Sequence, residues 1–194
     1  MVYITTFDET DTALLPRLEA LSSPWRQKRA ATIKPPGGRL RSLSAGLLLD
    51  YALKAKGYPP LHAVQIGPHG KPEAEGFYFS LTHCRNLSSC VVSCRPVGID
   101  AEPFRLFPDN LQRRVFTPAE IAESLSTPDP DRHFTCLWTL KEALLKARGT
   151  GITEGPIHFA FSIRDGRITG PKGYDYALLL DIPGYSIATA TQLR

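Results

Sequence analysis

The 194-residue chain is short of most features that announce a special class of protein. It has no run approaching the roughly 20 apolar residues of a membrane-spanning helix, so no span is expected. Neither sign of charge is in large excess: 23 basic against 19 acidic side chains leave +4. That is too mild for a nucleic-acid protein, where a clustered basic face would be expected. The opening MVYITTFDETD has an early Asp-Glu pair and no basic start, which argues against a secretory signal. Only four cysteines occur, Cys84, Cys90, Cys94 and Cys136, without the paired spacing of a zinc site. They are expected to be reduced, partly buried thiols of a cytoplasmic protein, with a disulfide as the lesser alternative. No low-complexity segment and no Gly-x-Ser-x-Gly nucleophile motif is present.

What remains is an ordinary folded composition, 42% hydrophobic and 22% charged. A chain of this size buries about 70% of its unfolded surface and needs no staple to fold. Seventeen prolines predict sharp loops. Residues 2–6 (VYITT) read as a strand. Short helices follow at 11–21 and 24–33, the second with Ser22 and Ser23 before it as caps and Pro24 early. The run Pro35-Pro36-Gly37-Gly38 is expected to break the chain. Beyond it, an apolar stripe of Leu40, Leu43, Leu47, Tyr51 and Ala55 predicts a helix of about 18 residues stopping at Gly57. Strands are expected at 62–66, 77–81 and 88–93.

The second half runs in a similar order. It has a strand at 97–102 (VGIDAE), a helix at 116–125 opened by Thr117 and Pro118, a long helix at 131–148 closed by Gly149, and strands at 157–163, 175–180 and 185–190. The pattern is compatible with an internal duplication, although side-chain identity between halves is low. No Gly-, Ser- or charge-rich linker separates the halves, residues 1–96 and 97–194, so they are expected to pack as one globular unit.

Chemistry is concentrated in the second half. Asp100 and Glu102 follow a buried-type strand and, two apart, project from one face of it. Paired hard oxygen ligands suit Mg²⁺, which keeps waters and takes substrate phosphate as further partners. The same spacing also describes a strand end emerging into solvent with two ordinary carboxylates. In the helix FTCLWTLKEALLKAR, Lys141 falls inside the apolar stripe of Phe134, Leu137, Trp138, Leu144 and Leu145. Glu142 borders that stripe and Lys146 lies one turn further on. A snorkelling Lys141 and an exposed Glu142–Lys146 pair is the plain alternative. If the strand carboxylates face this helix, Glu142 supplies a third oxygen to the same metal.

Gly98-Ile99-Asp100-Ala101-Glu102, followed about 36 residues later by Trp138-Thr139-Leu140-Lys141-Glu142-Ala143 and Lys146, resembles the 4′-phosphopantetheinyl transferases. Within that superfamily the sequence is similar to the surfactin-type branch, a single chain with two pseudo-repeated halves. The likeness extends to Gly70-Lys71-Pro72, to Phe79-Ser80-Leu81-Thr82-His83, to Ser23-Pro24 with Arg26, Arg29, Arg41 and Ser42, and to Phe116 with Glu120. It covers about residues 22–152.

The resemblance implies an α+β fold of two similar β-α-β-β-β halves packed as a pseudo-dimer. It implies Mg²⁺-dependent transfer of the phosphopantetheine arm of coenzyme A to a serine of an acyl- or peptidyl-carrier domain, releasing 3′,5′-ADP. Asp100, Glu102 and Glu142 would hold the metal. Glu142 would serve as base, directly or through a metal-bound water, and Lys146 would neutralise the departing phosphate. Arg26, Arg29 and Arg41 would grip the ribose phosphate of coenzyme A, since guanidinium forks match phosphate oxygens. Ser42, Lys71, Thr82 and His83 would add phosphate contacts, His83 acting at the reacting end. Lys141 would brace the carboxylates, touch a coenzyme phosphate or serve structure alone. A monomer binding coenzyme A and a carrier protein, and neither nucleic acid nor membrane, is the implied assembly.

Thr82 departs from the family's usual serine, Ala101 from a larger aliphatic, and the Pro-Pro-Gly-Gly run interrupts the basic segment. The alternatives at this point are a catalytically silent relative that binds coenzyme A or a carrier, a nucleotide-binding module using the N-terminal arginines, and a carboxylate hydrolase of another fold.

Overall fold

The β-branched and aromatic VYITT forms strand β1 (Val2–Thr6), and the chain then turns into three helices, α1 (Leu15–Leu21), α2 (Pro24–Ala31) and α3 (Pro36–Ala55). The computed structural model describes residues 1–58, 65–67 and 71–194. Against expectation, Pro35-Pro36-Gly37-Gly38 does not break the chain but opens α3. Pro36 suits the first helical position, whose N–H has no helical partner. The two glycines suit the crowding there: a Cβ on Gly37 would lie 3.1 Å from the Glu9 carbonyl oxygen, and one on Gly38 2.8 Å from Ile33 Cγ2. The buried face of α3 also differs from the expected stripe after Leu43. It continues through Gly46, Leu49 and Leu53, leaving Tyr51 64% exposed.

A short ribbon of β2 (Gln65–Ile66) and β3 (Pro72–Glu73) leads to the hairpin β4 (Tyr78–Cys84) and β5 (Leu87–Ser93). Residues 62–64 of the expected strand lie outside the described residues. β5 is the central strand of an antiparallel sheet ordered β1-β5-β4, and α3 packs on it. Leu49, Ala52, Leu53, Phe77, Phe79, Cys90 and Val92 form the core between them.

The second unit repeats this order. β6 (Val97–Pro103) is followed by α4 (Asp109–Val115), α5 (Pro118–Leu125) and α6 (Pro130–Arg148), then the ribbon β7 (Ser162–Arg164) and β8 (Arg167–Thr169) and the strands β9 (Tyr174–Leu179) and β10 (Tyr185–Gln192). Its antiparallel sheet is ordered β6-β10-β9. Helix α5 opens with a full capping box between Thr117 and Glu120, and α6 closes on Gly149 at φ 74°, the left-handed conformation a side chain would strain. The strand expected at 157–163 is instead a 3₁₀ turn, Pro156–His158, before the short β7. Helix α4 has no counterpart in the expected elements. The core combines Phe107, Phe116 and Phe134, with ring centroids 5.0–6.0 Å apart, and the apolar side of α6.

The fold is α+β, helices on antiparallel sheets, and the chain divides into the units Met1–Cys94 and Arg95–Arg194. None of the four cysteines is joined in a disulfide. No described helix is long and apolar enough to cross a membrane.

Candidate active site

Helix α6 lies on β6 and β10, and one residue permits the close approach. A Cβ on Gly98 would stand 1.9 Å from the Ala143 carbonyl oxygen and 2.5 Å from the Ala147 nitrogen. Only a residue without a side chain lets the helix backbone come this near a strand. Strand alternation then carries Asp100 and Glu102 onto the same helix-facing side as Gly98. On the helix, Trp138, Glu142 and Lys146 recur every fourth residue and share a face. The two rows meet. Trp138 Nε1 donates to Glu102 Oε1 at 3.2 Å, and Lys146 Nζ donates to Asp100 Oδ1 at 2.6 Å. Glu142 lies between those two helix residues.

Three carboxylates therefore gather beside one ammonium. Burial raises the Glu102 carboxyl, and Asp100 raises it further, against the Trp138 hydrogen bond, Arg105 and Lys146. Burial likewise pushes Glu142 up to about 7, assisted by Asp100 and Glu102 and opposed by Lys146. Among the described residues no three His, Cys, Asp or Glu side chains stand at metal-ligand geometry.

Lys141 belongs to a different construction. It is fully buried, and its Nζ lies 2.8 Å from Glu120 Oε1, with hydrogen bonds to Glu120 Oε2 at 3.0 Å, the Pro156 carbonyl at 3.1 Å and the Phe159 carbonyl at 2.6 Å. An ammonium has three N–H donors, so none is left for a coenzyme phosphate. That expected contact is corrected: the carboxylate Lys141 braces is Glu120, not one of the trio. Glu120 in turn accepts from the Thr117 and Phe161 amides at 2.7 and 2.9 Å. The pair locks α5, α6 and the 156–161 turn together. Glu120 was visible in the sequence only as part of the Phe-x-x-x-Glu likeness. The Trp138 bond to Glu102 was foreshadowed only by the i, i+4 spacing to Glu142.

The expected phosphate contacts of the first unit differ in exposure. Arg29 is exposed, and Arg41 and Lys71 are half-buried. Ser42 and Thr82 are buried, whereas His83 is exposed, because neighbouring residues of β4 point to opposite faces. Arg26 is only 5% exposed, against the expectation of a surface phosphate ligand. Its side chain crosses Gly46, where a Cβ would lie 2.6 Å from Nε, and its guanidinium stacks 4.2 Å from the Trp25 ring centroid. Burial, with Arg29 nearby, lowers it to about 10 despite Asp50. Its Nε and Nη2 have no hydrogen-bond partner among the described residues.

Residues 96–185 match the 4′-phosphopantetheinyl transferase superfamily. The chain is 34% identical over 154 residues to 4′-phosphopantetheinyl transferase Npt of Nocardia iowensis, covering 73% of this chain and 67% of that protein. It is 36% identical over 129 residues to 4′-phosphopantetheinyl transferase HetI of Nostoc sp., covering 60% and 51%. A 4′-phosphopantetheinyl transferase of Bacillus subtilis is 28% identical over 126 residues, covering 61% and 56%. This chain belongs to the 4′-phosphopantetheinyl transferase superfamily. It spans about half to two thirds of the length of these relatives.

Proposed function

We propose that this protein transfers the 4′-phosphopantetheine arm of coenzyme A to a serine of an acyl- or peptidyl-carrier protein, as a cytoplasmic, monomeric enzyme of the surfactin-type branch. The serine oxygen attacks the β-phosphorus of the coenzyme pyrophosphate, the bridging P–O bond breaks, and 3′,5′-ADP leaves. The observation that carries the reading is the facing of Asp100 and Glu102 on β6 with Glu142 and Lys146 on α6.

The donor set fits a hard divalent cation: three carboxylates, two of them driven up by burial and mutual repulsion. Asp100, Glu102 and Glu142 would hold Mg²⁺ by side-chain rotation. When bound, the cation neutralises the pyrophosphate charge. Glu142 takes the proton of the attacking serine hydroxyl, and a carboxyl poised near neutral pH suits a general base. Lys146 balances charge on the departing phosphate. Trp138 holds Glu102 in place through its indole N–H. On the first unit, Arg41, Arg29, Lys71 and His83 take coenzyme phosphates. The exposed Arg105, Arg113 and Arg114, beside the 77% exposed Leu106, steer the acidic carrier.

Mixing the protein with apo-carrier, coenzyme A and MgCl₂ and weighing the carrier by mass spectrometry tests the reading. The carrier gains the arm with wild type, and the gain is lost with chelator, Asp100→Ala or Glu142→Gln. Transfer surviving both substitutions rejects the metal and base assignments. Binding of coenzyme A without transfer to any carrier supports the catalytically silent alternative. Charge reversal at Arg113 and Arg114 that leaves the salt dependence of transfer unchanged removes the carrier-steering role.

A further inference from the structure

We propose that Glu9 is an internal counter-ion that a coenzyme phosphate displaces from Arg41, so that Glu9 sets the enzyme's affinity for coenzyme A. The inference rests on the reading of Arg41 as a ligand of the ribose 3′-phosphate.

Glu9 lies in the turn after β1, and its Oε2 pairs with Nη1 of Arg41 in the first turns of α3. The pairing is built, because the backbone on both sides is pinned. The Glu9 N–H donates to Asn86 Oδ1 at 3.1 Å, and the neighbouring Phe7 N–H donates to the Asn86 carbonyl at 2.9 Å. Asn86 sits in the two-residue turn joining β4 to β5, just beyond Thr82 and His83. Asp8 closes the turn by accepting from the Thr10 amide at 2.9 Å and the Thr10 hydroxyl at 2.7 Å. The carbonyl of Glu9 abuts Gly37 of α3, the position that tolerates no Cβ without displacement. Arg41 is fixed in its turn, its carbonyl accepting from Ser88 Oγ at 3.3 Å.

A rigid turn thus delivers one carboxylate onto the guanidinium, while both side chains keep about a quarter of their surface in solvent (28% and 26%). A phosphate reaches Arg41 there without any backbone opening; only the Glu9 side chain must swing aside. Carboxylate and phosphate use the same guanidinium fork, and the more highly charged phosphate wins the exchange at a cost equal to the pair it breaks. The carboxylate keeps the cation occupied until a 3′-phosphate displaces it, which weakens binding of 3′-phosphorylated nucleotides and leaves that of adenine nucleotides without a 3′-phosphate untouched. Arg39 and Glu19 form a similar ion pair on the same helix and supply the control.

Calorimetric binding of 3′,5′-ADP and of 5′-AMP to wild type, Glu9→Gln, Glu9→Asp, Arg41→Gln and Glu19→Gln is the test, with KM and kcat for coenzyme A beside it. Removing the competitor tightens 3′,5′-ADP binding about twofold to fivefold in Glu9→Gln, the scale of one partly exposed ion pair. Binding of 5′-AMP stays unchanged, KM for coenzyme A falls by the same factor, and kcat does not move. Glu9→Asp returns toward wild type, and Glu19→Gln matches it. If Glu9→Gln binds 3′,5′-ADP equally or more weakly while Arg41→Gln loses affinity, Glu9 only orients Arg41: the proposal fails and the reading of Arg41 stands. If Arg41→Gln leaves 3′,5′-ADP binding unchanged, the reading of Arg41 fails and the proposal with it.

Discussion

Helices α2 and α5 occupy the same place in their units, and the same interval of chain separates Pro24 from Pro118 as Pro36 from Pro130. Each opens on a hydroxyl residue and a proline, and each buries a charge at its third position, Arg26 in one and Glu120 in the other. In the C-terminal unit the charge meets its opposite. Glu120 and Lys141 are hydrogen-bonded to each other and to surrounding backbone. In the N-terminal unit the guanidinium lies in a slot over Gly46, against the Trp25 ring, with Asp50 as its electrostatic partner. The same architecture accepts a buried charge by two routes, a saturated ion pair or a glycine slot with an aromatic wall.

The first strands differ in the same spirit. β1 has no glycine, and α3 lies chiefly on β5; β6 has Gly98, and α6 lies directly on it. Only the C-terminal unit therefore brings strand carboxylates against its long helix. The same order of elements occurs twice, and Gly98 lies in the unit whose strand carboxylates meet its long helix.

The comparison can be broken most sharply at the carboxylates. Glu142→Gln should reduce carrier modification by about 10²–10⁴-fold, whereas Arg41→Gln on the other unit should act mainly through KM for coenzyme A; equal kcat losses would erase the functional distinction between the units. Next in size is Gly98→Ala, whose Cβ would clash with helix backbone rather than with a yielding side chain. It should cost more than about 3 kcal/mol in denaturant unfolding, while Gly46→Ala, meeting only the flexible stem of Arg26, costs about 1–3 kcal/mol. The buried charges come third. Lys141→Met strands the Glu120 carboxylate and should cost about 3–5 kcal/mol, whereas Arg26→Met removes a cation with few hydrogen bonds to lose and should change stability by less than about 1.5 kcal/mol. Similar losses at both would mean that Arg26 is paired more tightly than its geometry shows.

The smallest effect is one of pH. A carboxyl raised by the fold binds its proton more tightly folded than unfolded, so stability without divalent cation should decline as pH rises from about 4.5 to about 7. Glu142→Gln should lessen that decline, to which the raised Glu102 also contributes, and melt about 2–4 °C above wild type at pH 8, with no difference at pH 4. A mutant that melts lower at pH 8 would show the carboxylate to be favourably paired.

Much of the plan was legible before any coordinates. The β-branched strand 2–6, the helix opened by Thr117 and Pro118, the stop at Gly149 and the acid pair two apart are local statements, carried by neighbouring residues. Misreadings came where distant groups compete. Pro-Pro-Gly-Gly was read as a breaker, because nothing local reveals that Glu9 and Ile33 crowd the glycines into a helical start. The stripe through Leu47 and Tyr51 failed because burial on α3 follows the sheet beneath it. Lys141 was left between three roles because its partner Glu120, 21 residues away in sequence, is not announced by helical periodicity.

The order of the amino acids by itself determined most of the segments that become strands and helices, and which acids and cations are available for phosphoryl chemistry. Tertiary structure alone decided which of those charges face one another. Helical and strand periods say only on which side a residue projects. Whether that side is met by Trp138, Lys146 or a buried glutamate depends on how closely two backbones approach, and here Gly98 sets that distance.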